Sequence, residues 1–497
     1  MTELDIEQLA SFCKRKGLIY PSGDIYGGMK GFYDYGPYGV EIKRNLTSEW
    51  WTTFIQQPED VIGLDGSIIT HPDVWRASGH VDSFSDLILE SQDGSYMVRA
   101  DHFLEDELGG DYDGVSPSRV DELIEEHGFT APNGKAFKPC QPFNLMFHTQ
   151  IGPKQDSSSE GYLRPETAQL IFTNFKYAKQ NGRQKLPFGI GQIGKAFRNE
   201  ISPRNFVFRG REFEQMEIEH FVHPLDDDHQ VPTAYRDQTI KVLTAENQTS
   251  EKNMEKQTVG DLLEEGLLTT WHAHYIGKHV SWLKHLGLTT EKLRIREHLE
   301  DELAHYSQAC WDLEYQYTFG WQELMGVADR SDHDLSKHME HSGTKLNIHD
   351  HNRGEKVMPH VAAEPSMGVD RAFLAFIDDA YEEDEERGNV VLHLHPRIAP
   401  NTVAVFPLVK NNEELRAKAR EVYRALNTEF KAFWDERGSV GKRYARQDEL
   451  GTPYCVTVDF DTLEDEAVTI RDRDTTEQVR VNIADLKAEI ASKIRQH

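Results

Sequence analysis

Cysteine is scarce. Only four occur in 497 residues, Cys13, Cys140, Cys310 and Cys455, far apart and without a CxxC pair. That spacing argues against a zinc site of the usual kind and against a disulfide framework, and it fits a reducing cytosol. No apolar run reaches the roughly 18 residues that a membrane span needs, so no membrane partner is expected. The opening Met-Thr-Glu-Leu-Asp-Ile-Glu is acidic and lacks an apolar stretch, so it is not expected to be a signal peptide. Cations are the minority charge: 55 Lys and Arg against 84 Asp and Glu leave a net charge of −29. That sign disfavours indiscriminate binding to polyanions, whose affinity comes mainly from cations on phosphates, but it allows one specific RNA held by local basic patches. The chain shows no internal repeat and no low-complexity tract.

What is present suffices for several cores. Hydrophobic residues make up 38% and aromatics 10% of the chain, and this length suggests two to four domains. Residues 4–18 suggest a short amphipathic helix. A glycine- and tyrosine-rich run, Tyr26 to Gly39, precedes a helical pattern from Val40 through Leu46, Trp50, Phe54 and Ile55. Strand-like sequence follows at 61–70. Residues 93–160 read as an insertion, with a helix expected over 116–126 and a loop at Gln155–Glu160. A second insertion, expected to be mostly helical, covers 225–318. Strand-type sequence returns at 364–371. Proline and loop signals at 395–400 mark a boundary. Beyond it the pattern reads strand 402–408, long helix 413–434, strands 454–460, 467–472 and 477–483, and helix 484–494, a unit mixing α and β.

Chemistry concentrates in one segment, Lys195-Ala-Phe-Arg198-Asn-Glu200-Ile-Ser-Pro-Arg204-Asn-Phe-Val-Phe-Arg209-Gly-Arg211-Glu-Phe213-Glu-Gln-Met-Glu217-Ile-Glu219. From Lys195 to Arg211 five basic residues stand against one acid. It reads as two strands joined by an arginine-rich loop, a positive island suited to ATP. In the second strand, Phe213, Gln215, Glu217 and Glu219 share one face, and Glu214, Met216, Ile218 and His220 the other. With Met216 and Ile218 toward the core, a ring and a carboxylate share the open face; this segment alone leaves a solvated strand edge as the alternative. Gly189-Ile-Gly191-Gln-Ile-Gly194 matches GxGxxG formally, but no helical period follows it, so a dinucleotide fold is disfavoured. Glu364-Pro-Ser366-Met-Gly368-Val-Asp370-Arg371 leads into a helical tail, which would put Arg371 at a helix start suited to phosphate. Taken singly, Arg164-Pro-Glu166-Thr-Ala-Gln169 and Trp321-Gln-Glu323-Leu-Met-Gly326 read as structural, and His349-Asp-His351 as a solvated loop.

Together these segments resemble the three signature motifs of class II aminoacyl-tRNA synthetases: the helix with Trp50–Phe54 leading to Pro72, then Phe197-Arg198-Asn-Glu200 with its loop, then Gly368-Val-Asp370-Arg371. Longer strings, Gly31–Gly39, Val74–His80, Arg164–Gln169, Phe213–Glu219 and Gly451–Phe460, resemble the homodimeric glycyl-tRNA synthetase family over nearly the whole chain. That resemblance implies an α+β fold: a class II antiparallel sheet flanked by helices, with insertions, plus a C-terminal α/β anticodon-binding domain like that of the histidyl, threonyl and prolyl enzymes. It divides the chain into 1–92 with the first motif, insertion 93–160, core 161–224 with the second motif, insertion 225–318, core 319–395 with the third motif, and anticodon-binding domain 396–497. It implies a glycine–tRNA ligase that uses ATP and Mg²⁺ and no zinc. The partners implied are glycine, tRNA(Gly) and a second copy of the chain, in the cytoplasm.

By matching positions the resemblance implies that Arg198, Arg371 and Glu323 carry catalysis, with Glu323 on Mg²⁺. ATP is expected to meet Arg198, Asn199, Glu200, Phe208, Arg209, Gly210, Arg211, Glu212, Phe213, Glu323, Leu324, Gly368, Val369, Asp370 and Arg371. Glycine is expected to meet Arg99, Glu166, Phe213, Glu214, Gln215, Met216, Glu217, Glu364, Pro365, Ser366, Met367 and Gly368, with Glu166, Glu217 and Glu364 around its ammonium. Lys442-Arg-Tyr-Ala-Arg446 offers cations and an aromatic ring to an unstacked base, with a solvated basic strand as the alternative. Rival readings are a synthetase-like protein that does not charge tRNA, a different class II specificity, and an NAD oxidoreductase.

Overall fold

A computed structural model describes every residue except 1–3, 111, 113, 154–158, 227–228, 251–253, 301, 304–307, 351–352 and 497. Most of the expected loop at Gln155–Glu160, and His351, lie outside the described residues. The main body is built on a nine-stranded sheet. In chain order its strands are β1 (Val61–Leu64), β2 (Phe188–Phe197), β3 (Glu212–Val222), β4 (Thr239–Leu243), β5 (Glu255–Thr258), β6 (Leu293–Glu297), β7 (Ala309–Tyr317), β8 (Gly320–Asp329) and β9 (His360–Gly368). Across the sheet they run β5-β4-β6-β7-β8-β9-β3-β2-β1. All neighbours are antiparallel except β1 with β2 and β4 with β6.

Register decides which face carries chemistry. Met216 lies opposite Met367, and Met367 opposite Met325; all three are fully buried. One residue along, Glu217 lies opposite Ser366, and Ser366 opposite Gly326. Side chains alternate faces along a strand, so the methionine row enters the core and the next row faces the other side. The core face is covered by α1 (Gly39–Trp51), which continues in a π-helical turn over Thr52–Gln56. Helices α2 (Ala168–Asn181), α3 (Thr270–His285) and α4 (Val369–Ala380) flank the sheet. Ile42, Leu46, Trp50, Phe54, Trp282, Phe373 and Ile377 share one core with Met216 and Ile218.

The glycines of the GxGxxG match serve this packing. They lie on β2, where a Cβ at Gly191 would stand 2.1 Å from Ile55 Cδ1, and one at Gly194 would stand 2.2 Å from an Arg164 guanidinium nitrogen. Close approach of a helix and an arginine, not of a dinucleotide, accounts for them.

Three expectations for the main body need correction. The second insertion is not mostly helical: β4, β5, β6 and β7 fall within it and extend the main sheet. Its charged strands, such as Leu293-Arg-Ile-Arg-Glu297, pair with the neighbouring strand β7 through Arg294–Glu314 and Arg296–Asp312 ion pairs, which conceal the apolar alternation in the sequence. The boundary at 318/319 cuts the β7–β8 hairpin. At 364–371 the strand stops at Gly368 and the helix begins at Val369.

The unit at 85–144 has its own small sheet and a core of Leu89, Phe103, Leu104, Val120 and Phe137, with a helix over Pro117–His127. The C-terminal unit carries a five-stranded sheet, β10 (Val403–Pro407), β11 (Ala432–Trp434), β12 (Tyr454–Val458), β13 (Ala467–Asp472) and β14 (Gln478–Asn482), in the order β11-β10-β12-β13-β14. Helices α5 (Glu413–Leu426), α6 (Val440–Asp448) and α7 (Leu486–Gln496) accompany it. The helix expected over 413–434 ends at Leu426. Asn427 Oδ1 accepts from Ala432 N at 3.2 Å and turns the chain into β11, so Phe430 and Trp434 pack on the C-terminal core.

Candidate active site

A cavity of about 440 Å³ opens over the Glu217–Ser366–Gly326 row. Its two kinds of wall carry opposite charge.

The cationic wall is the arginine loop between β2 and β3, together with the start of α4. Arg198 Nε donates to Pro165 O at 3.1 Å, and its guanidinium lies 5.3 Å from the Phe213 ring centre. Arg209 donates to Glu200 at 2.8 Å. Arg371 stacks over Phe208 at 4.5 Å and pairs with Glu323 at 2.9 Å. Three guanidiniums and two rings of the lining are thus already placed, with carboxylates holding two of the arginines. Glu323 reaches this wall because of a β-bulge: Leu313 and Glu314 lie opposite Met325 and Glu323, leaving Leu324 unpaired. The extra residue reverses parity, so Glu323 faces the cavity while Leu324 is fully buried.

The glycine- and tyrosine-rich run props this loop. Gly31 has φ +81°, and its carbonyl accepts from Arg211 N at 2.7 Å. A Cβ there would stand 2.8 Å from Pro203. Gly39 sits against Leu18, where a Cβ would stand 1.8 Å from the carbonyl oxygen. Tyr35 OH donates to Asp370, which also accepts from Glu214 N at 2.9 Å, bolting the loop strand to α4.

The anionic wall holds Glu166, Glu217 and Glu364, all under 10% exposed. Glu217 accepts from Thr167, and Gln215 Nε2 donates to Ser366 Oγ at 3.2 Å. Arg330, 1% exposed, donates to Glu364 at 2.8 Å and to both oxygens of Asp334 at 2.8 and 3.0 Å. Gln169 donates to Glu166 at 3.0 Å and to Asp334 at 2.7 Å, and His80 Nε2 lies 3.5 Å from Glu166. Burial would raise Glu166, but His80 and Arg330 hold it below the ordinary value. Burial and Glu166 raise Glu217; burial raises Glu364 well above the usual range despite Arg330. Behind them Glu219 is fully buried, neither carboxylate oxygen has a hydrogen-bond partner, and burial and Glu364 raise it well above its ordinary value. Among the described residues, the Arg330 guanidinium and His80 thus face five buried carboxyl groups. This wall is short of positive charge, and a small ammonium would supply it.

Of the residues expected in the site, the structure brings Arg198, Glu200, Phe208, Arg209, Gly210, Phe213, Gln215, Glu217, Glu166, Glu323, Glu364, Ser366, Gly368, Asp370 and Arg371 to this one cavity. Others do not reach it by their side chains. Met216, Met367, Leu324 and Val369 are core residues, and Pro365 shares the parity of Met367. Glu214 pairs with Lys43, and Glu212 with Lys195, both on the opposite face of β3. Arg211 is committed to the carbonyls of Glu200 at 2.9 Å and Lys30 at 3.0 Å. Asn199 lines a separate groove with Phe143 and His148. Arg99 is held by Asp86 at 3.0 Å and by Asp101. The segment Lys442–Arg446 also needs correction. It lies on α6, where Arg443 is 1% exposed and donates to Gly438 O at 2.8 Å. Tyr444 OH bonds Thr457 at 2.6 Å, and Arg446 pairs with Asp435. These groups build the domain and do not offer a stacking platform.

Sequence reading missed Arg330, Asp334, His338 and the wall residues His298, Cys310 and Asp312. An arginine closing the otherwise apolar strand Leu324–Ala328 was the one signal for Arg330.

Residues 147–380 match the family model described as tRNA synthetase class II core domain (G, H, P, S and T), and residues 402–493 match the anticodon binding domain. A glycine–tRNA ligase of Staphylococcus saprophyticus is 44% identical and one of Clostridium acetobutylicum 45% identical, each over 99% of both chains. The prolyl-tRNA synthetase of Cryptosporidium parvum with halofuginone and AMPPNP superposes with a TM-score of 0.59 at 14% identity, covering 99% of this chain and 75% of that one, which is a likeness of fold. With identity of this order along its whole length, and with a class II core whose cavity sets arginines against buried glutamates, the chain belongs to the glycine–tRNA ligase family of class II aminoacyl-tRNA synthetases.

Proposed function

We infer that this chain activates glycine with ATP and transfers it to the 3′ end of tRNA(Gly). The observation that carries the reading is the cavity with guanidinium groups on one wall and excess buried carboxylate on the other, because the two substrates of activation are a polyphosphate and an amino acid with a free ammonium. The glycine carboxylate attacks the α-phosphorus of ATP in line. An O–P bond forms, the bond to the bridging oxygen breaks, and pyrophosphate leaves with that electron pair. The nucleophile is already an anion, so no general base is needed; catalysis consists of positioning and of charge neutralisation. A terminal ribose hydroxyl of tRNA then attacks the carbonyl carbon of glycyl-adenylate; a C–O ester bond forms, the acyl C–O bond to the phosphate breaks, AMP leaves with that electron pair, and the hydroxyl proton is released.

Arg198 is assigned to the α-phosphate, where charge builds in the transition state, with Phe213 stacked on the adenine ring. Arg371 and Arg209 are assigned to the terminal phosphates. In the structure their guanidiniums rest on Glu323 and Glu200, so ATP exchanges partners on fixed arginines rather than recruiting free ones. The carboxylate donor and the cavity position of Glu323 suit Mg²⁺; the ion, when bound, neutralises phosphate charge. Glu166, Glu217, Glu364 and Ser366 are assigned to the ammonium, and Arg330 holds Glu364 and Asp334 in place. Rejecting alanine means refusing one methyl on a closed wall. The C-terminal domain is assigned to the anticodon. A homodimer in the cytoplasm completes the reading, and sedimentation of the purified chain tests the dimer. Among the described residues no helix is long and apolar enough to cross a membrane.

The test is glycine-dependent ATP–pyrophosphate exchange with alanine and serine as competitors. Exchange with glycine alone supports the assignment; a folded protein that binds ATP but exchanges with no amino acid overturns it. Glu217→Gln removes a charged hydrogen bond to the ammonium, a loss of about 1.5–3 kcal/mol, so KM for glycine is expected to rise roughly 10- to 150-fold with KM for ATP nearly unchanged. Unchanged glycine kinetics would take Glu217 out of the pocket.

A further inference from the structure

Part of the cavity wall, formed by β7 and the residue after β6, carries three side chains with no role in the assignments above. Cys310 and Asp312 stand two apart on β7 and so point the same way. His298 N donates to Cys310 O at 3.0 Å, which sets the imidazole beside them. One ligand atom from each, an imidazole nitrogen, the thiol sulfur and a carboxylate oxygen, falls within 4.8 Å of the others, and all three residues line the cavity. His298 Nε2 lies 2.8 Å from Asp312 Oδ2, yet makes no hydrogen bond of good geometry. Among the described residues Arg296 is the cation paired with this group, 3.2 Å from Asp312, and it is shared with Glu302 at 2.8 Å and Glu314 at 3.4 Å. Glu323 and Glu364 act on Cys310 from the cavity side.

We propose that His298, Cys310 and Asp312 form a transition-metal site in the cavity wall, which takes a zinc-class dication through nitrogen, sulfur and oxygen and leaves one coordination position open to the cavity. Three protein ligands and one open position are the arrangement of reactive rather than structural zinc sites. The donor set separates this ion from Mg²⁺, which takes oxygen ligands and refuses thiolate. Bonds of about 2.0–2.3 Å put tetrahedral ligand atoms about 3.3–3.8 Å apart, so the widest pair closes by about 1 Å and the His298–Asp312 contact opens by less. Binding displaces the Cys310 thiol proton to solvent. Thiolate and Asp312 carboxylate then balance the two charges of the ion. Metal uptake is therefore expected to release a proton. The fourth position faces the cavity, and an ion there meets any amine or phosphate that enters.

The experiment is Co²⁺ titration of the full-length protein after chelator treatment. A thiolate-to-cobalt charge-transfer band in the near ultraviolet is expected, saturating at one ion per chain and bleached by Zn²⁺ but not by Mg²⁺. Cys310→Ser is expected to abolish the band with circular dichroism unchanged, and His298→Gln to weaken Co²⁺ binding by about tenfold or more. Absence of the band from the wild-type protein overturns the proposal, and so does a band undiminished in Cys310→Ser, which would place it on Cys13, Cys140 or Cys455. Should Cys310→Ser fail to fold, His298→Gln decides: an unchanged Co²⁺ affinity overturns the site.

Discussion

At the scale of single residues, the unpartnered carboxyl of Glu219 sets a measurable property. Glu219 holds its proton in the native fold to a pH well above the ordinary carboxylate range, because burial and the neighbouring Glu364 penalise its charge. Between the ordinary value and the raised one, the unfolded chain has lost this proton while the native fold keeps it. Stability therefore falls as pH rises through that window. The denaturant midpoint is expected to decline as pH rises above the ordinary carboxylate range, and Glu219→Gln, which carries its neutral form permanently, is expected to flatten the decline. A slope identical in the variant would show that Glu219 ionises freely. The parity of β3 made the pairing of Phe213, Gln215 and Glu217 on one face legible in the sequence. The same alternation places Glu219 on that face, but not its depth: burial depends on β9, which arrives more than 140 residues later and whose Glu364 completes the cluster.

At the scale of elements, the arginine loop owes its shape to the glycine run that precedes it by 170 residues or so. Gly31→Ala would force a side chain into a left-handed conformation and onto Pro203, a local cost of about 1–3 kcal/mol. KM for ATP is expected to rise more than KM for glycine; equal changes would mean that the whole cavity, not the loop, had shifted. Gly326 offers the converse case. A Cβ there would meet Asp312 and Glu323 no closer than 3.7 Å, so Gly326→Ala should fold normally while adding a methyl to the cavity. A reduced rate of exchange at unchanged thermal midpoint is the expected result, and full activity would show that substrates do not approach β8. The strands, the loop and α4 could be read from alternation and from helical period. The bulge at Leu324 could not, because an extra residue leaves no periodic trace, and only the register of Leu313 and Glu314 reveals that Glu323 has changed face. The four strands in the second insertion were hidden for a related reason, since their charged residues are satisfied by neighbours across the sheet rather than by water.

At the scale of the whole molecule, the C-terminal unit is riveted to the body by buried arginine. Arg473, 2% exposed, donates to Leu394 O at 2.8 Å and Gly451 O at 2.7 Å, while Arg387 donates to Arg473 O at 2.8 Å. Arg473→Ala leaves two carbonyls without their donor, a cost of about 2–4 kcal/mol. Aminoacylation of tRNA is expected to fall while pyrophosphate exchange persists, because only the first needs both units in register. Loss of both activities would show that the interface also supports the cavity. The domain boundary near 395 and the mixed α and β character of this unit were legible from proline signals and period. The fate of Lys442–Arg446 was not, because the sequence does not show that Arg443 is needed to hold the carbonyls of Pro407 and Gly438.

The strand order of the main sheet has a consequence for how the chain is made. Glu217 completes its ladder only against Ser366, and at about 5–20 residues per second a ribosome takes roughly 7–30 s to supply the residues between them. Through that interval the nascent β3 presents an unpaired backbone edge, and Met216 lacks the Met367 that later lies beside it. A growing chain therefore has a defined period of vulnerability, closing when β9 emerges, and a holdase that binds extended apolar segments would find its target there.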